Sequence, residues 1–376
     1  MMVDFNINNN LISSLSIKER LDVFKINNHF IKDEKNNIEQ WKKGKSLINN
    51  NSFLTMLKNQ NISESEFNYS IKNLDDRDKE ELFNELKKKD WYNTFLDIIK
   101  SIEKEDIEFS KNTIDLSYAF KPFLIYFYRD INEYIKKLNT IKISNEAANE
   151  LINSLANILI KCSQKTLVIE LHEFKKNDIL VGDTPKDRLD YFLKANFSDL
   201  DQILKFYNKY PTLSRLLVIK TMNFIINIKE ALKRLDTDFD EIEKELEFHT
   251  DSKVIKKLNC GQGDSHQKGR SVLQIIFEND KSLIYKPKNL NIAKKYYEFL
   301  EWFNKNSNLL DLPINKGFYK DKYTFEKFIE YKGCTDERQI ENYYKRFGEI
   351  ISIAYFLCGN DFHFENIIAH GEYPYL

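Results

Sequence analysis

The sequence predicts an α+β fold: a largely helical N-terminal region, a small β-containing lobe, and the start of a second helical lobe. Three observations predict it. Only Gly44 and Gly182 of the ten glycines precede residue 250, and apolar residues there recur at helical spacing, as in Trp91, Phe95, Ile98 and Ile99. Near His249 glycine becomes denser and short apolar runs alternate with polar turns. From Asp336 a long helical pattern returns. These changes place boundaries at 1–250, 251–330 and 331–376.

Taken in order, Pro122 opens a helix through Leu124, Phe127, Ile131 and Ile135. Thr166–Glu170 reads as a short strand because three of its residues are β-branched. Asn177–Gly182 turns the chain, and Thr184-Pro185 supplies an N-cap and a first helical residue. Tyr210-Pro211-Thr212 starts a helix that runs into a charged tail near Glu247. Ser271–Phe277 and Ser282–Lys286 predict paired strands joined by the polar loop Glu278–Lys281. A helix over Ile292–Asn304 and a β-rich stretch at Tyr323–Phe328 follow. Asp336 with Gln339 resembles a capping box. The helix it opens has an apolar face of Ile340, Tyr344, Phe347, Ile351, Ala354, Tyr355 and Cys358, and Gly359-Asn360 serves as its C-cap.

Composition narrows the function. Fifty-seven basic against 58 acidic residues leave a net charge of −1, which argues against an electrostatic nucleic-acid binder. Mean hydropathy of −0.54 and the absence of a long apolar run argue against a membrane span. The N-terminal segment lacks a basic stretch followed by an apolar one, so a cytoplasmic location is expected. Cys162, Cys260, Cys334 and Cys358 are scattered without metal or disulfide spacing, and are expected as buried free thiols.

Three clusters carry chemistry-bearing residues. The first runs from Gly261 to Gly269 and includes Gly263, Asp264 and His266. Its glycines permit close backbone approach to a phosphate, although its spacing is neither of the common phosphate-loop patterns. Alone, a polar turn is the stronger reading. The second is Lys286, which ends an apolar strand and precedes Pro287. It stands where a kinase small lobe keeps its phosphate-binding lysine; alone, an exposed strand-end lysine is the stronger reading. In the third, Asp361 and His363 precede Asn366. Asp followed five residues later by Asn is the kinase catalytic-loop spacing, for the hydroxyl proton and for magnesium. Glu170 with His172 could form a metal pair, but a satisfied surface pair is favoured. Arg215 reads as snorkelling or structurally paired. His29, His249 and His370 have no companions at ligand spacing.

The ordered set GDSHxxG, YKP, DxHxxN and GExP resembles the hallmarks of class II lanthipeptide synthetases. The segments around Leu167–Leu171, Gly182–Arg188 and Tyr210–Leu217 are similar to that family as well, so the resemblance covers roughly 110–376. It implies a dehydratase with a distorted lipid-kinase-like fold that uses ATP and Mg2+ to phosphorylate Ser and Thr in a ribosomal precursor peptide. Elimination of phosphate then leaves dehydroamino acids. By position, Lys286 would hold ATP phosphates beside the glycines Gly261, Gly263 and Gly269. Asp361 would align or deprotonate the peptide hydroxyl, His363 would support its loop, and Asn366 would hold Mg2+. Asp264 and His266 would belong to the small-lobe turn, their division of labour open. Glu298 and Glu301 are both candidates for the carboxylate that pairs with Lys286. The family pattern continues into an Asp-bearing metal segment, an elimination Arg and Thr, and a cyclase domain, none of which precedes Leu376. The expectation is therefore incomplete chemistry in this chain alone, completed by a downstream C-terminal half. The alternatives are a catalytically dead precursor-binding module and, less favoured, an ordinary kinase.

Overall fold

A computed structural model describes residues 9–26, 37–43, 49–104, 115–266, 268–360 and 362–376. It is mostly helical with one small mixed sheet, the α+β class expected. The chain divides into two compact units, Met1–Tyr126 with Ala156–Thr221, and Phe127–Leu155 with Met222–Leu376.

In chain order the helices are α1 (Ile17–Ile26), α2 (Asn37–Lys43), α3 (Asn50–Gln60), α4 (Glu64–Ser70), α5 (Asp76–Leu86), α6 (Asp90–Lys100), α7 (Lys121–Ile135) and α8 (Asn145–Lys176). Then come α9 (Pro185–Phe197), α10 (Leu200–Lys209), α11 (Pro211–Glu245), α12 (Asn291–Asn306) and α13 (Glu337–Phe356). The unit division falls inside α7, α8 and α11.

The first unit is all-helical among its described residues, and local caps set its boundaries. Thr184 Oγ1 accepts the Asp187 N–H at 3.1 Å, the Asp187 carboxylate accepts the Thr184 N–H at 2.9 Å, and Pro185 opens α9 as the sequence indicated. The strand expected at Thr166–Glu170 does not exist; those residues lie within α8. Helical burial overrides their β propensity: Leu167 and Glu170 turn inward while Val168 and Ile169 stay exposed. Glu170 accepts from the Tyr210 hydroxyl and pairs with Lys209, so it is a structural carboxylate rather than half of a metal pair with His172. Arg215 is structurally paired: it donates to Glu19 at 2.6 and 3.1 Å and to the Ser14 carbonyl at 2.8 Å, with its guanidinium over the Trp91 ring.

The second unit holds the sheet, built from β1 (Lys142–Ile143), β2 (Val254–His266), β3 (Arg270–Phe277), β4 (Ser282–Lys286), β5 (Gly317–Tyr319) and β6 (Thr324–Lys327). The order is β1-β2-β3-β4-β6-β5, antiparallel except for β1 against β2. The Asp236 carboxylate of α11 accepts the N–H groups of Asn139, Thr140 and Ile141, which fixes the entry to β1. Asp280 takes a left-handed conformation in the β3–β4 loop, and Phe277 N–H closes that loop onto the Lys281 carbonyl. Leu273, Ile275, Phe277, Leu283, Tyr285 and Phe325 share one buried face, where Phe239 of α11 meets Phe277. The pleat sends Ile284, Lys286 and Glu326 to the other face.

Helix α13 starts as expected, with Asp336 accepting the Gln339 N–H at 2.8 Å; the Gln339 side chain reaches Thr335 N–H instead of completing a capping box. Its packing face differs from the one read in the sequence. Ile350 and Ile353 pack with Leu300 and Leu312, and Arg346 is buried against the carbonyls of Asp311 and Glu372. Ile340, Tyr344, Ile351 and Tyr355 remain exposed. The helix is apolar on two sides, and periodicity alone selected the side that stays in solvent. Cys358, not Gly359, adopts the left-handed cap conformation, and Gly359 N–H then reaches the Ala354 carbonyl at 2.7 Å. The hairpin β7 (Ile368–His370) with β8 (Tyr373–Tyr375) follows. The four cysteines are free, yet Cys358 is exposed and the others half-buried rather than fully buried.

Candidate phosphate-binding site

Lys286 is the last residue of β4, and the chain turns tightly after it because Lys288 N–H returns to the Lys286 carbonyl at 2.9 Å around Pro287. On the neighbouring strand, Thr324 stands opposite Lys286 and Glu326 opposite Ile284. The lysine therefore reaches diagonally along one sheet face, and its Nζ lies 2.6 Å from Glu326 Oε2. Glu326 is only 5% exposed, whereas the lysine side chain is 30% exposed. A buried carboxylate thus anchors a cation that opens toward solvent.

Two tyrosines bound the carboxylate. Burial, with the Glu326 charge adding to it, pushes the hydroxyls of Tyr297 on α12 and Tyr319 on β5 well above the ordinary tyrosine range. The Tyr319 ring folds over Gly317, the residue paired with Glu326; a Cβ there would come within 2.5 Å of the ring. Gly317 therefore admits Tyr319 to the surroundings of Glu326. Neither helix glutamate is the lysine's partner here, and Glu298 instead pairs with Lys295 at 2.6 Å. Nothing in the sequence singled out Glu326, because its place depends on which strand lies beside β4.

The glycine cluster belongs largely to β2. Gly261 has φ of +75° where the β2–β3 register slips, which is the geometry of a glycine bulge, and Gly263 follows within the same strand. Gly269, with φ of +80°, completes the turn into β3. The backbone of Asp264 and His266 is strand, while their side chains lie outside the described residues. Behind β4, on the opposite sheet face, Glu230 bridges Arg234 and Arg270 at 2.5 and 2.9 Å, and Arg234 also meets the Tyr285 hydroxyl. The cavity there, of about 20 Å3 and lined by Phe224, Cys260 and Leu273, has room for a water and none for a nucleotide. Burial pushes the Cys260 thiol up to about 11, which leaves it protonated and unreactive at neutral pH.

In the third cluster Asp361 lies outside the described residues. His363 caps the short 3-10 turn Phe364–Asn366, its Nδ1 accepting the Glu365 N–H at 3.3 Å. The Asn366 amide lies 3.2 Å from His363 Nε2, and Asn366 N–H donates to the His363 carbonyl at 2.9 Å. The structure therefore brings His363 and Asn366 together as one unit, with the imidazole orienting the amide. Among the described residues, no three His, Cys, Asp or Glu side chains form a metal cage. None of the described helices is long and apolar enough to cross a membrane.

Residues 210–376 match a family model described as a domain of unknown function, DUF4135. Over 250 residues the chain is 26% identical to the lacticin 481/lactococcin biosynthesis protein LcnDR2 of Lactococcus lactis subsp. lactis. That alignment covers 63% of this chain and 26% of the relative, so the chain spans about a quarter of that protein's length.

Proposed function

We propose that this chain carries the phosphate-handling part of an ATP- and Mg2+-dependent Ser/Thr peptide dehydratase in lanthipeptide biosynthesis. The observation that carries the reading is Lys286, held at the end of β4 by the buried Glu326 while its side chain stays partly exposed. The resemblance of the ordered motifs to lanthipeptide synthetases, and the similarity to a lacticin biosynthesis protein, supply the chemical setting.

An ammonium has three donors, and Glu326 need occupy only one, so Lys286 suits phosphate oxygens as a second set of acceptors. Asn366 offers one neutral amide oxygen, which suits Mg2+ when nucleotide phosphates complete its shell. Bound there, the ion would screen charge on the transferring phosphoryl group. Asp361 would take the proton from a Ser or Thr hydroxyl as its oxygen bonds to the γ-phosphorus and ADP leaves. His363 would hold the Asn366 amide in orientation. Elimination would then remove the Cα proton and break the Cβ–O bond, releasing phosphate and leaving dehydroalanine or dehydrobutyrine. Asp264 and His266 are the residues proposed to serve this pocket.

The test begins with binding. Saturable MgATP binding by the chain, lost in Lys286→Ala, is the expected result. Incubation with ATP, Mg2+ and a Ser/Thr/Cys-containing precursor peptide should then be followed by mass spectrometry for gains of about 80 Da or losses of about 18 Da. Peptide binding without any nucleotide binding would overturn the kinase reading in favour of a precursor-binding module.

A further inference from the structure

We infer that Glu326 is the positioning residue for Lys286, and that this pair is fixed by the sheet rather than switched by a helix. The inference rests on the phosphate-binding reading of Lys286 and goes beyond it by naming what holds the lysine.

The first argument is energetic. Glu326 is nearly sequestered from water, and an isolated carboxylate in such a place is strongly disfavoured. A well-packed apolar residue would serve the core as well or better, so stability alone gives a weak reason for a glutamate here. Its consequence is geometric: a fixed negative charge holds the ammonium of Lys286 along the sheet face opposite the one that carries Leu273 and Phe325.

The second argument is mechanical. In protein kinases the corresponding carboxylate comes from a helix, and displacing the helix breaks the pair. Here both partners belong to adjacent antiparallel strands, with Leu283 opposite Lys327, Ile284 opposite Glu326, Tyr285 opposite Phe325 and Lys286 opposite Thr324. Separating Glu326 from Lys286 would require breaking that ladder. Strand β5, which neighbours β6, carries Tyr319, and α12 carries Tyr297, both close enough to feel the Glu326 charge. The α12 glutamates are left free of this role, with Glu298 engaged by its own helix neighbour Lys295.

The experiment is calorimetric titration of MgATP and of adenosine into the wild-type chain, Lys286→Ala, Glu326→Gln, Glu326→Asp, and the double variant Glu298→Gln/Glu301→Gln. Far-UV circular dichroism and thermal melting check that each variant folds. The expected result is that Glu326→Gln weakens MgATP roughly ten-fold, close to Lys286→Ala, and that Glu326→Asp recovers part of the loss. Adenosine affinity and the double α12 variant should stay within about two-fold of wild type. A general loosening of the fold would instead depress adenosine and MgATP together and would not be rescued by aspartate, which would overturn the positioning role. If Lys286→Ala loses MgATP while Glu326→Gln keeps it, Glu326 is not the positioning residue although the phosphate site stands. If the α12 double variant matches Lys286→Ala, the helix is the partner and the sheet-fixed pair is wrong. If wild type binds no MgATP, the phosphate reading itself fails and takes this inference with it.

Discussion

Two ion pairs, one in each unit, show how similar chemistry can be closed or open. Arg215 and Glu19 are about equally screened, at 21% and 20% exposure, and the guanidinium donates to both carboxylate oxygens and to the Ser14 carbonyl. Against the upward pull of burial, hydrogen bonds from Arg215 and Ser16 hold Glu19 down to about 2. Lys286 and Glu326 are unequal: the carboxylate side chain is 7% exposed and the lysine 30%. The first pair is satisfied within its own unit. The second combines a sequestered carboxylate with a partly exposed cation, and the phosphate-binding proposal for Lys286 rests on that asymmetry rather than on the presence of an ion pair.

The comparison breaks most readily at Lys286. Lys286→Ala should lower phosphoryl transfer by about 10²-fold or more and, because it strands the buried Glu326 carboxylate, lower the melting temperature as well, as steady-state peptide phosphorylation and calorimetry on the same sample would show. A large loss of stability with unchanged turnover would make the two pairs equivalent. Arg215→Ala should destabilise by about 2 kcal/mol in urea unfolding while leaving MgATP affinity unchanged.

Acid sharpens the contrast. Glu19 is depressed from 4.5 to about 2, so the Arg215 pair stabilises fully above pH 4.5 and is lost as pH falls toward 2. Chemical denaturation across that window should show a falling midpoint in wild type and a shallower fall in Glu19→Gln. The smallest effect should come from a local helix cap: Thr184→Ala, which removes the acceptor for Asp187 N–H, should cost about 1 kcal/mol.

How much of this was legible in the sequence differs by element. The α9 cap, the β3–β4 hairpin and the position of Lys286 were readable because each depends on residues adjacent in the chain. Thr166–Glu170 misled because three β-branched residues look alike in a strand and on a long helix, and only burial of Leu167 and Glu170 decides. Strands β1 and β5, of two and three residues, are too short for alternation to register. On α13 the buried Arg346 disguised the packing face as polar. Glu326 was hidden for a different reason: it lies forty residues beyond Lys286, and only the β4–β6 register makes them neighbours.

The β2 strand carries one more consequence. Beyond its short pairing with β1, its outer side has no strand partner among the described residues, and a strand left unpaired over the rest of its length would ordinarily invite another chain to add itself. The register slips near Lys257 and at Gly261 interrupt that run of backbone donors and acceptors before it can act as a template. The same glycine bulge that shapes the segment carrying Asp264 and His266 thus also guards the molecule against edge-to-edge self-association.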